Sequence, residues 1–117
     1  MNLAFLQAPI QGTSGTKCAD VTISPSSGDI PLSVSLTTTQ TGGHIFYRVA
    51  AAPGLAPVHN GDNAVSPTVR IGSNHGVVSI NAGPPGSQRT IQAVCYQSGF
   101  LDSNITSGTY DVPESDL

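Results

Sequence analysis

Apolar and polar residues alternate with a period of two along much of the chain, and that period predicts β-strands. The clearest stretch runs from Arg89 to Val112. There Ile91, Ala93 and Cys95 alternate with Gln92, Val94 and Tyr96, and Ile105, Tyr110 and Val112 follow across Ser98-Gly99 and Asp102-Ser103-Asn104. It reads as two strands joined by a polar turn, and a hairpin so patterned implies a sheet. Upstream, Val21 and Ile23 mark a short strand, and Val34 and Leu36 share one face of Ser33 to Thr37. A central strand places Ile45, Tyr47 and Val49 on one side and Phe46 and Arg48 on the other. Thr68 to Ile71 and Val77 to Ile80 predict two more short strands on either side of Gly72-Ser73-Asn74-His75-Gly76. The intervening segments are built from turn formers. Residues 24–31 are Ser-Pro-Ser-Ser-Gly-Asp-Ile-Pro. Ala50 to Ser66 reads as a long loop with at most an edge strand, turning at His59-Asn60-Gly61-Asp62-Asn63, and Pro84-Pro85-Gly86 forbids regular pairing. No ten-residue stretch has a helical period. About seven short strands at this spacing predict an all-β, antiparallel β-sandwich.

Residues 1–17 break the pattern. They show no alternation and end in Gln-Gly-Thr-Ser-Gly-Thr-Lys, a composition that does not fold alone. They are expected to form an extended N-terminal arm whose apolar residues, Leu3, Phe5, Leu6 and Ile10, dock onto a partner. Residues 18–113 then form the sandwich and 114–117 a short acidic tail. A chain of 117 residues is long enough for one core without metals or disulfides.

Charge narrows the list of partners. Only 9% of the residues are charged, against about 25% in an average soluble domain, so solubility rests on neutral polar groups. Lys17, Arg48, Arg70 and Arg89 are the only cations, and the net charge is -3. Such a chain cannot neutralise a run of phosphates, which excludes nucleic acid as a partner. The N-terminal apolar patch is too short for a signal-peptide core and lacks a positive leader, which predicts a chain made in the cytoplasm. No apolar run approaches the 18 or so residues that span a bilayer.

Reaction chemistry is thin. His44, His59 and His75 have no i, i+2 or i, i+4 pairing and no Cys-x-x-Cys exists, so no metal site and no cofactor is predicted. Asn60, Asp62 and Asn63 lack the dense carboxylates of a calcium loop, and turn chemistry accounts for them. Glu114 is the only glutamate, and the aspartates fall in turns or at strand ends, where Asx hydrogen bonds explain them without a pair facing one cleft. No nucleophile motif is present. The chain is expected not to be an enzyme. Among the few aromatic residues, Phe46, pointing outward from the central strand, and Phe100, capping the last turn, are the candidate ligand contacts. Cys95 reads as a small core filler, and whether it meets Cys18 is open.

Several motifs fall in an order that resembles a known family. Ile23-Ser-Pro-Ser-Ser-Gly, Val34-Ser-Leu-Thr, Thr41-Gly-Gly-His-Ile-Phe-Tyr, Thr90-Ile-Gln-Ala-Val-Cys-Tyr-Gln-Ser-Gly-Phe-Leu-Asp-Ser and Gly108-Thr-Tyr are similar to the Ig-like, fibronectin-III-associated domain at the C-terminus of chitobiases and β-hexosaminidases. The likeness covers residues 20 to 112 and departs after Tyr47, at Arg48-Val-Ala-Ala-Ala-Pro-Gly-Leu. It implies an Ig-like sandwich without catalytic residues, used as a spacer or binding module. Two functions are compatible with it. The first is a structural protein of a phage particle, decorating the capsid or associated with the tail, made in the host cytoplasm and gripping neighbouring virion proteins through the arm. The second is a carbohydrate-binding or spacer module of a secreted bacterial glycoside hydrolase or surface protein.

Overall fold

The structure, a computed structural model, describes residues 16–51, 56–81 and 83–114. Leu3, Phe5, Leu6, Ile10 and the tail residues 115–117 lie outside the described residues. What is described is all-β, with ten strands and no helix: β1 (Thr22–Ser24), β2 (Ser27–Asp29), β3 (Leu32–Thr37), β4 (His44–Ala50), β5 (His59–Asn60), β6 (Asn63–Ala64), β7 (Val69–Ile71), β8 (His75–Ile80), β9 (Gln88–Tyr96) and β10 (Thr106–Asp111). They form a three-stranded sheet in the order β1-β3-β8, a five-stranded sheet in the order β2-β10-β9-β4-β7, and the β5-β6 ribbon.

The alternation decides which residues meet. In the three-stranded sheet Val34 opposes Val78 and Leu32 opposes Ile80, all turned inward, while Ser33, Ser35, Thr37 and Ser79 face water. In the five-stranded sheet Ile45 opposes Cys95 and Tyr47 opposes Ala93, with Ile91 and Tyr110 on the same inner face. Val34, Leu36, Val78 and Ile80 from one sheet and Ile45, Ile91, Ala93, Cys95 and Tyr110 from the other belong to a single buried cluster. The two sheets therefore pack face to face, as half-buried strands of period two require. Gly76 seals one side: a Cβ there would lie 2.8 Å from Cδ1 of Ile71, so its absence lets β7 tuck beneath β8.

Three expectations change. The first concerns 24–31, read as a turn, which contains β2 running parallel to β10. Tyr110 holds it there by donating its hydroxyl to the Pro25 carbonyl, and Thr109 donates its amide to Ser26 O at 3.0 Å. The pairing is thus not wholly antiparallel, and with β2, β5 and β6 the strands exceed the expected seven. The second is Ala50 to Ser66, read as a loop with at most an edge strand, which contains the β5-β6 hairpin; β7 and β8, adjacent in sequence, lie in different sheets, joined by the short 72–74 link. The third is Ile105, grouped above with Tyr110, which is 47% exposed. Lys17, placed in the arm by its composition, already belongs to the domain through a parallel bridge to Leu101.

Candidate functional site

The outer face of the five-stranded sheet carries a second apolar layer. In register across β7, β4 and β9 stand Arg70, Phe46 and Val94, and beside them His44 opposes Tyr96. Phe46 and Val94 point away from the inter-sheet core yet are buried. The β5-β6 ribbon covers them. Its two-residue tip, Gly61-Asp62, opens on Gly61 at φ +58°, the Gly-first tight turn that suits a hairpin. Thr68 ties the ribbon's root by accepting the Val58 amide at 2.8 Å, and Val65 donates to Val58 O at 2.9 Å.

His59 is the ribbon's contact with the sheet. Its ring stacks on Phe46 with centroids 4.6 Å apart and planes within 7°, and it lies 5.0 Å from the Tyr96 ring. Its Nδ1 is 2.7 Å from Gly61 O and its Nε2 is 2.7 Å from Asp102 Oδ2. A carbonyl and a carboxylate can only accept, so a ring nitrogen bonds either of them only when it carries a proton.

A second histidine holds the tip. His44 Nδ1 lies 2.6 Å from Asp62 Oδ1, and Arg70 grips the same carboxylate with Nε to Oδ1 at 3.1 Å and Nη2 to Oδ2 at 2.8 Å. Arg70 Nη2 also sits 3.2 Å from His44 Nδ1. One ring nitrogen cannot donate and accept together, and the shorter contact makes it the donor to Asp62. The Arg70 hydrogen bonds, followed by that of His44, hold the Asp62 carboxyl down to about 2 from an ordinary 3.8.

Between the tip and the sheet end lies a cleft of about 470 Å³ lined by Gly42, His44, Asp62, Tyr96, Gln97 and Ser98. The β3–β4 and β9–β10 turns form its far wall. Gln97 accepts from Gln40 Nε2 at 2.6 Å, and Gln40 in turn accepts the Ala19 amide at 2.9 Å. On the same end of the fold, the chain's N-terminal segment joins the β9–β10 loop. Leu101 donates to Thr16 O at 2.8 Å, Cys18 donates to Leu101 O at 2.9 Å, and Lys17 Nζ reaches Asn104 Oδ1 at 2.7 Å.

The candidate ligand contacts fare differently. Phe46 is fully buried under His59, so it supports the cleft rather than meeting a ligand directly. Phe100 is half-buried and packs against the inter-sheet core. His44 and His59 are both paired, and Asp62 and Asp102, expected to cap turns, serve them instead. His75 stays apart, against Asn74. No three metal-ligating side chains gather among the described residues. Cys18 and Cys95 are both buried in the core as free thiols. Tyr96, Gln97 and Ser98 went unnoticed in the sequence; the only signal was that the Gly42-Gly43 and Ser98-Gly99 turns flank two strands that pair. No family model, curated protein or solved structure matches the chain.

Proposed function

We propose that the chain is a non-catalytic, Ig-like interaction domain of a multi-copy protein assembly, of the kind that decorates a phage capsid or tail, attached through the segment that precedes Thr16. The strand orders support the Ig-like reading. Taken as A-B-E and A′-G-F-C-C′, β1-β3-β8 and β2-β10-β9-β4-β7 reproduce the neighbours of an immunoglobulin sandwich. The observation that carries the functional reading is the join at the β9–β10 loop. The root of the N-terminal segment is paired with Leu101, and Leu101 and Ile105 stand 43% and 47% exposed there. Exposed apolar side chains at the root, with Ile10, Leu6, Phe5 and Leu3 preceding them in the sequence, suit attachment to a protein neighbour. With few charges on the domain, many copies can crowd one surface, and weak contacts add through multivalency.

The test is co-sedimentation of the purified chain with particles isolated from its native source. Saturable binding of many copies per particle is the expected result. A chain that stays at the top of the gradient at every concentration would exclude the reading.

A further inference from the structure

We propose that the cleft between the β5-β6 tip and the β3–β4 and β9–β10 turns is a binding site for a neutral saccharide. The site's chemistry selects the ligand class. Both charged groups at its edge are already matched: each oxygen of Asp62 is taken by Arg70 or His44, and Asp102 is taken by His59. A cation would compete with Arg70 and the two histidines for these carboxylates, and an anion would meet two carboxylates. Among the residues lining the cleft, the side-chain polar atoms with no hydrogen-bond partner are Nε2 of His44, the Tyr96 hydroxyl, the Ser98 hydroxyl and the Gln97 Nε2 amide. The hydroxyls can donate or accept, the amide supplies a donor, and Nε2 of His44 adds a further hydrogen-bonding position. Alternating donors and acceptors beside an aromatic ring are what a pyranose needs, hydroxyls at its rim and a C–H face against the ring. A volume of about 470 Å³ accommodates one or two sugar units.

The walls are held before any ligand arrives. Tyr96 is braced by His59 and by Phe46, whose centroid is 6.2 Å away at 62°. Gly42 adopts φ +79°, and a Cβ there would lie 2.9 Å from Gln97 Nε2, so the glycine makes room for the amide across the cleft wall. Such preorganisation limits the entropy lost on binding. The site does not depend on the assembly reading.

The experiment is a ¹H–¹⁵N NMR titration of the full chain with glucose, cellobiose, maltose, lactose and N-acetyllactosamine, with glucuronate as the charged counterpart of glucose. At least one neutral sugar should give saturable shifts at Gly42, His44, Tyr96, Gln97 and Ser98 with an affinity of about millimolar. Tyr96→Phe and Gln97→Ala, which keep the ring packing and the backbone, should each weaken it about 3–10-fold, the effect of one lost hydrogen bond. Absence of saturable shifts with every neutral sugar, unchanged affinity in both variants, or tighter binding of glucuronate than of glucose would each overturn the proposal. Since the free chain is titrated, failure here leaves particle binding untouched, and failure of particle binding leaves the cleft untouched.

Discussion

At the residue scale, two titrating groups make the structure answerable to pH. Asp62 is held well below its ordinary value by Arg70 and His44. A depressed carboxyl contributes stability that is present above its ordinary value and is lost as pH falls through the folded one. The ribbon clamp should therefore persist down to pH 3.8 and fail as pH drops toward about 2. Thermal unfolding of the chain and of Asp62→Asn across this range should show a gap that is small, as suits an exposed group, and that closes at the acid end. Cys18 works in the opposite direction. Burial, with the Cys95 thiol beside it, pushes it up to about 12 from an ordinary 9.0, so the folded chain keeps a proton that the unfolded chain releases. Stability should fall as pH rises from 9.0 toward about 12, and Cys18→Ala should flatten that slope in urea titrations at successive pH values. Neither group could be singled out beforehand. Asp62 is 18 residues from His44 and Asp102 is 43 from His59, separations at which no local pattern shows that side chains will meet. Cys95 was legible as core because it sits in register with Ile91 and Ala93; Cys18, outside any strand, was not.

At the scale of elements, the strands that declared themselves were those whose inward-facing apolar residues recur with a period of two. β3, β4, β8, β9 and β10 all alternate, and all were placed from the pattern. β2 was missed because Ser27-Gly28-Asp29 is exposed throughout, flanked by prolines, and held by its neighbours rather than by its own burial. Its anchor can be tested at Gly108, where a Cβ would fall 3.1 Å from Ser26 O and closer still to the Tyr110 hydroxyl. Gly108→Ala should push Tyr110 off the Pro25 carbonyl and cost about 1–3 kcal/mol in denaturant unfolding, the usual penalty of overpacking. The β5-β6 ribbon was read correctly as a turn at Gly61, but its landing on Phe46 was not foreseen, since a period of two assigns the outer face to water. Phe46→Ala should therefore behave as a core truncation, losing about 3–5 kcal/mol, whereas a solvent-facing phenylalanine would lose almost nothing.

At the scale of the whole molecule, two sheets share one core and a second, smaller apolar layer lies beneath the ribbon. The sandwich was legible because most of its core positions obey a single period. The end that holds the cleft was not, because three turns and the N-terminal root contribute to it and each is unremarkable alone. That end is also where the chain before Thr16 enters the domain, beside the exposed Leu101 and Ile105. An interaction domain gripping its assembly through this segment uses the apolar side chains there for attachment, and the described inter-sheet core is built from Cys18 to Val112. The most direct measurement compares the full chain with a full-length variant carrying Leu3→Ser, Phe5→Ser, Leu6→Ser and Ile10→Ser, following thermal unfolding and binding to native particles by sedimentation. The account predicts an unchanged unfolding midpoint and particle binding weakened at least about tenfold, a loss of 1.4 kcal/mol or more; equal binding by the two chains would contradict it.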